Sequence, residues 1–417
     1  MFIANYLMRV LIVSTYDIQG GAAIAATRLL HALSRAGCDA SMVVRTKQGN
    51  DPRVRQVGSD RKNKLRFYRE RGTIFLHNRF SKKYLFDVSI ANTGVAVTDL
   101  PEFQAADVIH LHWINQGTLS LNEIERIVAS GKKVVWTMHD MWSFTGICHH
   151  AAGCRHFETG CGNCPYLTSP SPKDLSYKLF KKKQAIYARG EITFVACSDW
   201  LKKLAEKSPL TRGHRVVNIP NPIDTDLYFP GDKRALREKL QLPRDKRIAL
   251  FAAAKASDPR KGVEYLIRAS KLLAREQNDL LFLIAGANGN DIARRLPLPA
   301  KNMGYVAPDQ MVELYSVADV YITPSLQENL PNTLMEAMAC GTPCVGFHTG
   351  GIPEMIDHGI NGYVADYRNA EDLARGIAWV LYEAHGEELS RRAREKVSRE
   401  YEQEKIANRY KAIYESE

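Results

Sequence analysis

The 417 residues exceed what one ordinary hydrophobic core organises and suit two α/β domains of roughly 200 residues each. At 45% apolar and 25% charged, the composition excludes a disordered or fibrous chain, and no apolar run nears the roughly 20 residues that cross a bilayer. The formal net charge of +11 is unevenly placed: residues 1–222 carry 31 Lys/Arg against 17 Asp/Glu, and residues 223–417 carry 26 against 29. A basic first half favours phosphates, an anionic membrane surface or nucleic acid as partners, beside the plainer reading of a solvated basic surface.

Met1–Leu7 is too short for a secretory signal and lacks its cationic front, so the expected compartment is the cytosol. Met8, directly before the first strand, is a second candidate start. Arg9–Tyr16 is a β-branched run, followed by Gly20-Gly21 and a helical pattern from Ala22 to Ala36 that Gly37 stops. Further strands are expected at Ala40–Val44, Val108–His112, Val134–Met138, Ile192–Ala196 and Val216–Ile219. Between Arg61 and Lys83, basic residues alternate with Phe67, Tyr68, Ile74, Phe75, Leu76 and Phe80. That mixture suits either a membrane-surface helix or an ordinary amphipathic one.

Three prolines within Asn218–Pro230 mark a linker. Beyond it, strands are expected at Ile248–Ala253, Leu280–Ala285, Val320–Thr323 and Pro343–Phe347. Helices are expected at Gly262–Arg275, Pro308–Ser316, Asn332–Cys340 and Ala370–Ala384, and the stretch Glu388–Glu417 reads as charged and helical. Strand–helix alternation implies parallel sheets. The expected fold is α/β, with two Rossmann-like domains, 1–222 and 223–395, facing across a cleft, and a final helix at 396–417 packing back on the first. Ligands of open α/β sheets bind at the carboxyl ends of the strands.

The densest signal runs from Pro324 to Pro343 and on through Gly350-Gly351-Ile-Pro-Glu354 to Asn361-Gly362. A strand ending at Thr323 leads into a polar loop with Glu328. A helix then opens near Asn332, with Pro331 close to its first turn, and its free N–H groups suit a phosphate. Glu336, one turn further in, can accept bonds from a ribose diol. This segment resembles the E-x7-E signature of retaining glycosyltransferases of family 4, which have the GT-B fold. The resemblance places Glu328 beside the donor sugar and Glu336 on the ribose, with Asn329, Leu330 and Asn332 completing the donor wall. In Lys255–Ile267 it also matches Lys261-Gly262 to the family's diphosphate-binding lysine. At the family's arginine position this chain has Lys255, a point charge where arginine grips phosphate bidentately; Arg260 is a partial substitute.

In the first half, Gly20 and Gly21 resemble the family's glycine loop near the donor phosphate. The strand Val134–Met138 ends in His139-Asp140, where the family often has a histidine near the donor sugar. His112, Asn115 and Asp140 are candidates for the acceptor side, with His110 on the same strand end as His112. The resemblance implies catalysis by positioning and charge, with His139, Lys261 and Glu328 at the reacting end and no catalytic metal.

Cys148, Cys154, Cys161 and Cys164 fall within seventeen residues, near His149, His150 and His156. Four thiolates can hold a structural Zn²⁺, and the final C-x2-C has a usual ligand spacing; disulfides and metal-free thiols are the alternatives. Thr145-Gly146 and Pro165 complete a resemblance here to some bacterial polysaccharide glycosyltransferases.

The expected activity is transfer of a sugar from a UDP-, GDP- or ADP-sugar to a glycan or lipid-linked acceptor in surface polysaccharide synthesis, in the cytosol and peripherally at the inner membrane face. Alternatives are another GT-B enzyme, such as a phosphorylase or a soluble sugar synthase, a non-catalytic sugar-nucleotide sensor, and a nucleic-acid-binding zinc protein. The last leaves the Glu328–Glu336 segment unexplained, so no nucleic-acid partner is expected.

Overall fold

The computed structural model describes residues 7–416. It resolves into two compact units. One runs to Pro222 and takes the chain in again from Ile406; the other is Ile223–Lys405.

The first unit is built on seven parallel strands: β1 (Arg9–Tyr16), β2 (Asp39–Thr46), β3 (Val54–Gln56), β4 (Val108–Leu111), β5 (Lys133–Met138), β6 (Ile192–Ala196) and β7 (Arg215–Asn218). Their order is β3-β2-β1-β4-β5-β6-β7. Because both faces are covered, the central strands are apolar throughout, and successive residues alternate between two cores. Leu11, Val13, Ile109, Leu111 and Trp136 pack on one side with Ile124 and Phe180. Val10, Ile12, Met42, Val108 and Val135 pack on the other. That second side is covered by Leu29, Leu30 and Leu33 of the helix Gly21–Arg35 and by Ile406, Tyr410 and Ile413 of the helix Gln403–Glu415.

The final helix is also pinned by polar bonds. The Tyr414 hydroxyl lies 2.7 Å from Nδ1 of His110, and the Tyr410 hydroxyl 2.9 Å from the Thr137 hydroxyl, which itself lies 2.7 Å from Nε2 of His110. Burial, reinforced by neighbouring His139, pushes the His110 imidazole down to about 3, so it is neutral near pH 7.

The second unit has six parallel strands: β8 (Arg247–Lys255), β9 (Leu280–Ala287), β10 (Ala300–Gly304), β11 (Val320–Thr323), β12 (Cys344–Phe347) and β13 (Gly362–Ala365), in the order β10-β9-β8-β11-β12-β13. Its core joins Phe251, Phe282, Ile284, Ile322, Val345 and Phe347 to Leu266, Ile267 and Leu373. The sequence-based boundary at 395/396 falls inside the helix Gly386–Glu400, and the second unit continues to Lys405. That helix stays with its own unit because Arg394 donates to the carbonyl of Ala339 at 2.6 Å and Ser390 to that of Gly341.

The ten strands expected from the sequence are all present, with ends shifted by at most two residues. β3, β10 and β13 were not anticipated, and each is an edge strand. The expected helix Ala370–Ala384 is α-helical only to Ala378 and continues as a single π turn, Trp379–Glu383.

Two glycines fix the loops after β8 and β11. Gly262 has φ +70°, and a Cβ there would lie 1.8 Å from the carbonyl oxygen of Pro324; Gly350 has φ +56°, and its Cβ would lie 1.8 Å from that of Glu328. Main-chain bonds complete the clasp: Leu326 N–H to the Arg260 carbonyl and Gly351 N–H to the Asn329 carbonyl, both 2.7 Å. Gly262→Ala should cost about 2–4 kcal/mol through backbone strain and displacement of the Pro324 carbonyl; an unchanged Tm in calorimetry would contradict the clasp.

A second expectation concerns acid. Below pH 6.5 the unfolded chain takes up a proton that buried His110 refuses until about pH 3, so its contribution is full above pH 6.5 and is lost as pH falls through that window. The slope per histidine is at most about 1.4 kcal/mol per pH unit. Tm should fall from pH 6.5 to 4.5, less steeply in His110→Asn; parallel curves for the two proteins would refute this assignment.

Candidate functional site

In the second unit, chain order reverses between β8 and β11, which lie side by side although β9 and β10 intervene in sequence. Parallel strands leave their carboxyl ends on one edge, and such a reversal opens a crevice there. Lys255 ends β8 and is exposed. A short 3₁₀ turn, Pro259–Lys261, capped by the Asp258 carboxylate, carries Arg260 outward and turns Lys261 back. Nζ of Lys261 meets Oε2 of Glu328 at 2.6 Å, with both side chains partly exposed. Arg260, the candidate second cation, is paired with Asp258 at 2.8 Å.

The loop after β11 brings Glu328 to this edge and buries Asn329 and Leu330 against the unit. The helix Asn332–Ala339 follows, with Pro331 as its N-cap residue and buried Asn332 as its first residue. Glu336, only 7% exposed, accepts a hydrogen bond from the Tyr315 hydroxyl at 2.8 Å. Burial, with Glu336 beside it, holds the Tyr315 hydroxyl protonated, so it can only donate to that carboxylate. One carboxylate oxygen is thereby oriented from behind. Tyr315 was not singled out from the sequence, because nothing local in Pro308–Val317 marks which tyrosine turns inward.

In the first unit the same reversal occurs between β1 and β4. Gly20, with φ +90°, follows β1 and caps the helix Gly21–Arg35; Gly21 is that helix's first residue, and both glycines are exposed. A left-handed glycine here lets the chain turn straight from strand into helix.

β4 and β5 end in a stack of imidazoles. His110 and His112 have ring centroids 4.5 Å apart, and His112 and His139 5.2 Å. Nδ1 of His112 lies 2.9 Å from Nε2 of His139, whose Nδ1 lies 3.7 Å from Sγ of Cys197. Burial keeps His139 down at about 4 and His112 well below its ordinary value, so neither is a cation at neutral pH. His139 thus has both ring nitrogens engaged within the unit. Nε2 of His112 and Nδ2 of Asn115 are buried without a hydrogen-bond partner.

Asp140, a candidate for the acceptor side, is bonded to three partners within the unit. Its carboxylate accepts from the indole N–H of Trp113 at 2.7 Å and the backbone N–H of Trp142 at 2.8 Å, and lies 2.7 Å from Nδ1 of His149. Burial pushes its pKa up, but His149 and these bonds hold it at about 2.

The cysteine loop follows. Cys148, Cys154, Cys161 and Cys164 line one cavity of about 20 Å³ together with His156 and Phe157. Among the described residues, no group of three or more His, Cys, Asp or Glu side chains is arranged to hold a metal ion. Burial raises the thiols of Cys148, Cys161 and Cys164, the last two to about 12 and about 11. The zinc expected from the spacing gains no support from this geometry. Polar bonds hold the loop: Gly146 N–H to Sγ of Cys161 at 3.3 Å, and Cys164 N–H to the Asp174 carboxylate at 2.8 Å. Beside it, fully buried Lys183 donates to the carbonyls of Trp142 at 2.6 Å and Thr145 at 2.9 Å.

Comparison with known proteins matches residues 19–227 to Glycosyltransferase Family 4 and residues 232–399 to Glycosyl transferases group 1. An uncharacterized glycosyltransferase of Methanocaldococcus jannaschii is 26% identical over 347 residues, 76% of this chain and 87% of that one. N-acetyl-alpha-D-glucosaminyl L-malate synthase of Bacillus anthracis is 27% identical over 206 residues, 48% of this chain and 53% of the synthase, so this match spans about half of that relative. Among solved structures, sucrose-phosphate synthase of Thermosynechococcus elongatus superposes with a TM-score of 0.67 at 18% identity, over 98% of each chain. HepE of Anabaena, in complex with UDP, does so at 0.64 and 17% identity, over 97% of this chain and 99% of that one. The two family matches and the two parallel sheets make this chain a glycosyltransferase of family 4 with the GT-B fold.

Proposed function

We propose that the chain transfers a sugar, with retention at the anomeric carbon, from a UDP-sugar to a glycan or lipid-linked acceptor in surface polysaccharide synthesis, at the cytoplasmic face of a membrane. The observation that supports the donor half is the Lys261–Glu328 pair beyond β8 and β11, followed in the next helix by buried Glu336. The UDP and UDP-glucose complexes of HepE favour uridine over guanosine or adenosine.

In this reading Lys261 and Lys255 balance the leaving diphosphate and Glu336 accepts bonds from the ribose diol. Glu328, with Asn329 and Leu330, bounds the sugar. The bond from the anomeric carbon to the phosphate oxygen breaks, the acceptor oxygen bonds to that carbon, and the acceptor's proton passes to the departing phosphate. The protein contributes placement and charge, with no catalytic metal. His139, neutral at working pH and with its ring nitrogens engaged by His112 and Cys197, forms part of the wall beside the sugar and does not act as an acid.

A second acceptor class has support in the names of the relatives, which include an L-malate synthase and D-inositol 3-phosphate glycosyltransferases. Both names carry a small anionic acceptor, which the basic first half also favours. Competition between malate, inositol 3-phosphate and a lipid-linked glycan in a turnover assay separates the two.

A saturating UDP-sugar should raise Tm by about 5 °C at a hundredfold excess over Kd, with GDP- and ADP-sugars giving less. Lys261→Ala should abolish that shift and lower kcat/KM at least about a hundredfold. For Glu336, Gln is the informative replacement, because Ala would leave the Tyr315 hydroxyl buried and unpaired, itself costing about 1–3 kcal/mol. Failure of every nucleotide sugar to stabilise the parent, or equal stabilisation of Lys261→Ala, would overturn the proposal.

A further inference from the structure

The helix Asp60–His77 is turned inside out. Its inward face is docked by polar groups. The amide of buried Asn63 donates to the carbonyls of Arg45 and Val57 at 2.6 and 2.9 Å. Glu70, fully buried, accepts from the backbone N–H groups of Ile90 and Ala91 at 2.8 and 3.0 Å. Arg71, beside it at 3.3 Å, donates to the carbonyls of Leu85 and Val88. Of the helix's apolar residues, only Ile74 is buried.

The outward face carries three of the apolar groups, while Phe67 and Phe75 are half-buried. Leu65, Tyr68 and Leu76 are 69%, 66% and 61% exposed, and at 100° per residue they fall within an arc of about 80°. Phe80, just past the C-terminus, is 69% exposed. Exposed Arg61, Lys62 and Arg69 flank this stripe, and residues 61–83 hold nine Lys/Arg against the single acid Glu70, which is buried. The inward polar bonds hold the helix in the orientation that leaves this stripe exposed.

We infer that the outward face of this helix, continued by Phe80, is a docking surface for an anionic lipid bilayer. Leucine and aromatic side chains enter the headgroup boundary while the flanking cations meet lipid phosphates. Nucleic acid would match the charge and leave Leu65, Leu76 and Phe80 exposed. A basic patch and an apolar stripe on one face together fit a lipid surface. This deepens the reading of an acceptor at a membrane face, and it extends that reading to named side chains that no part of the donor site uses.

The test is sedimentation of the full-length protein with vesicles of phosphatidylcholine, with and without 30 mol% phosphatidylglycerol. Leu65→Asp/Leu76→Asp and Arg61→Glu/Arg69→Glu serve as separate variants. Binding of the parent is expected only to anionic vesicles, weakening in high salt, with each double variant at least tenfold weaker. Their Tm and their UDP-sugar stabilisation should equal the parent's, so a failure of the docking surface is distinguishable from a failure of the donor assignment. Absence of vesicle binding, undiminished binding by both variants, or preferential retention of RNA over anionic lipid would overturn the inference.

Discussion

Everything functional in this chain depends on one property of parallel sheets: all strands deliver their carboxyl ends to the same edge. β1, β4 and β5 place Gly20, His112, Asn115 and His139 at one edge of the first sheet. In the second sheet β8, β11 and β12 do the same for Lys255, Lys261, Glu328 and Gly350. Lys261 and Glu328, 67 positions apart, meet because neighbouring strands share a direction. The crevice between β8 and β11 needs no design beyond the reversal in strand order. What the sequence adds is the means to hold the loops still, through glycines whose missing Cβ atoms admit a carbonyl oxygen.

The central strands were legible because burial on both faces leaves a continuous apolar signature. β3, β10 and β13 were illegible for the complementary reason. An edge strand such as Val54–Gln56 or Ala300–Gly304 is half exposed and short, so its residues carry no such run. The candidate donor residues Lys261, Glu328 and Glu336 could be named because the segments that carry them resemble the family's motifs. The partners that fix them were not readable. Tyr315 behind Glu336, and the tyrosines Tyr410 and Tyr414 behind His110, come from distant segments.

Charge and burial also sort residues that the sequence treats alike. Asp140 and Glu328 both follow strands, yet Asp140 is used up by Trp113, Trp142 and His149 while Glu328 faces one lysine at the surface. His139 and His149 are both near the same carboxylate. Only His149 is bonded to it, and His139 leans instead on a second imidazole. The basic helix Asp60–His77 shows the same sorting, since Asn63, Glu70 and Arg71 serve the interior while Leu65, Tyr68 and Leu76 are exposed.

The return of the last residues to the first unit has a consequence for how the protein is made. Ile406, Tyr410, Ile413 and Tyr414 cover part of a face of the first sheet, so that part stays bare until residues 406–414 have been synthesised. Residues 223–405 need nothing from further downstream to complete their core. On a nascent chain the later half can therefore reach its native packing before the earlier half does, reversing the usual order of domain maturation. In the interval, Val10, Ile12 and Val108 are the surface that a chaperone would have to shield.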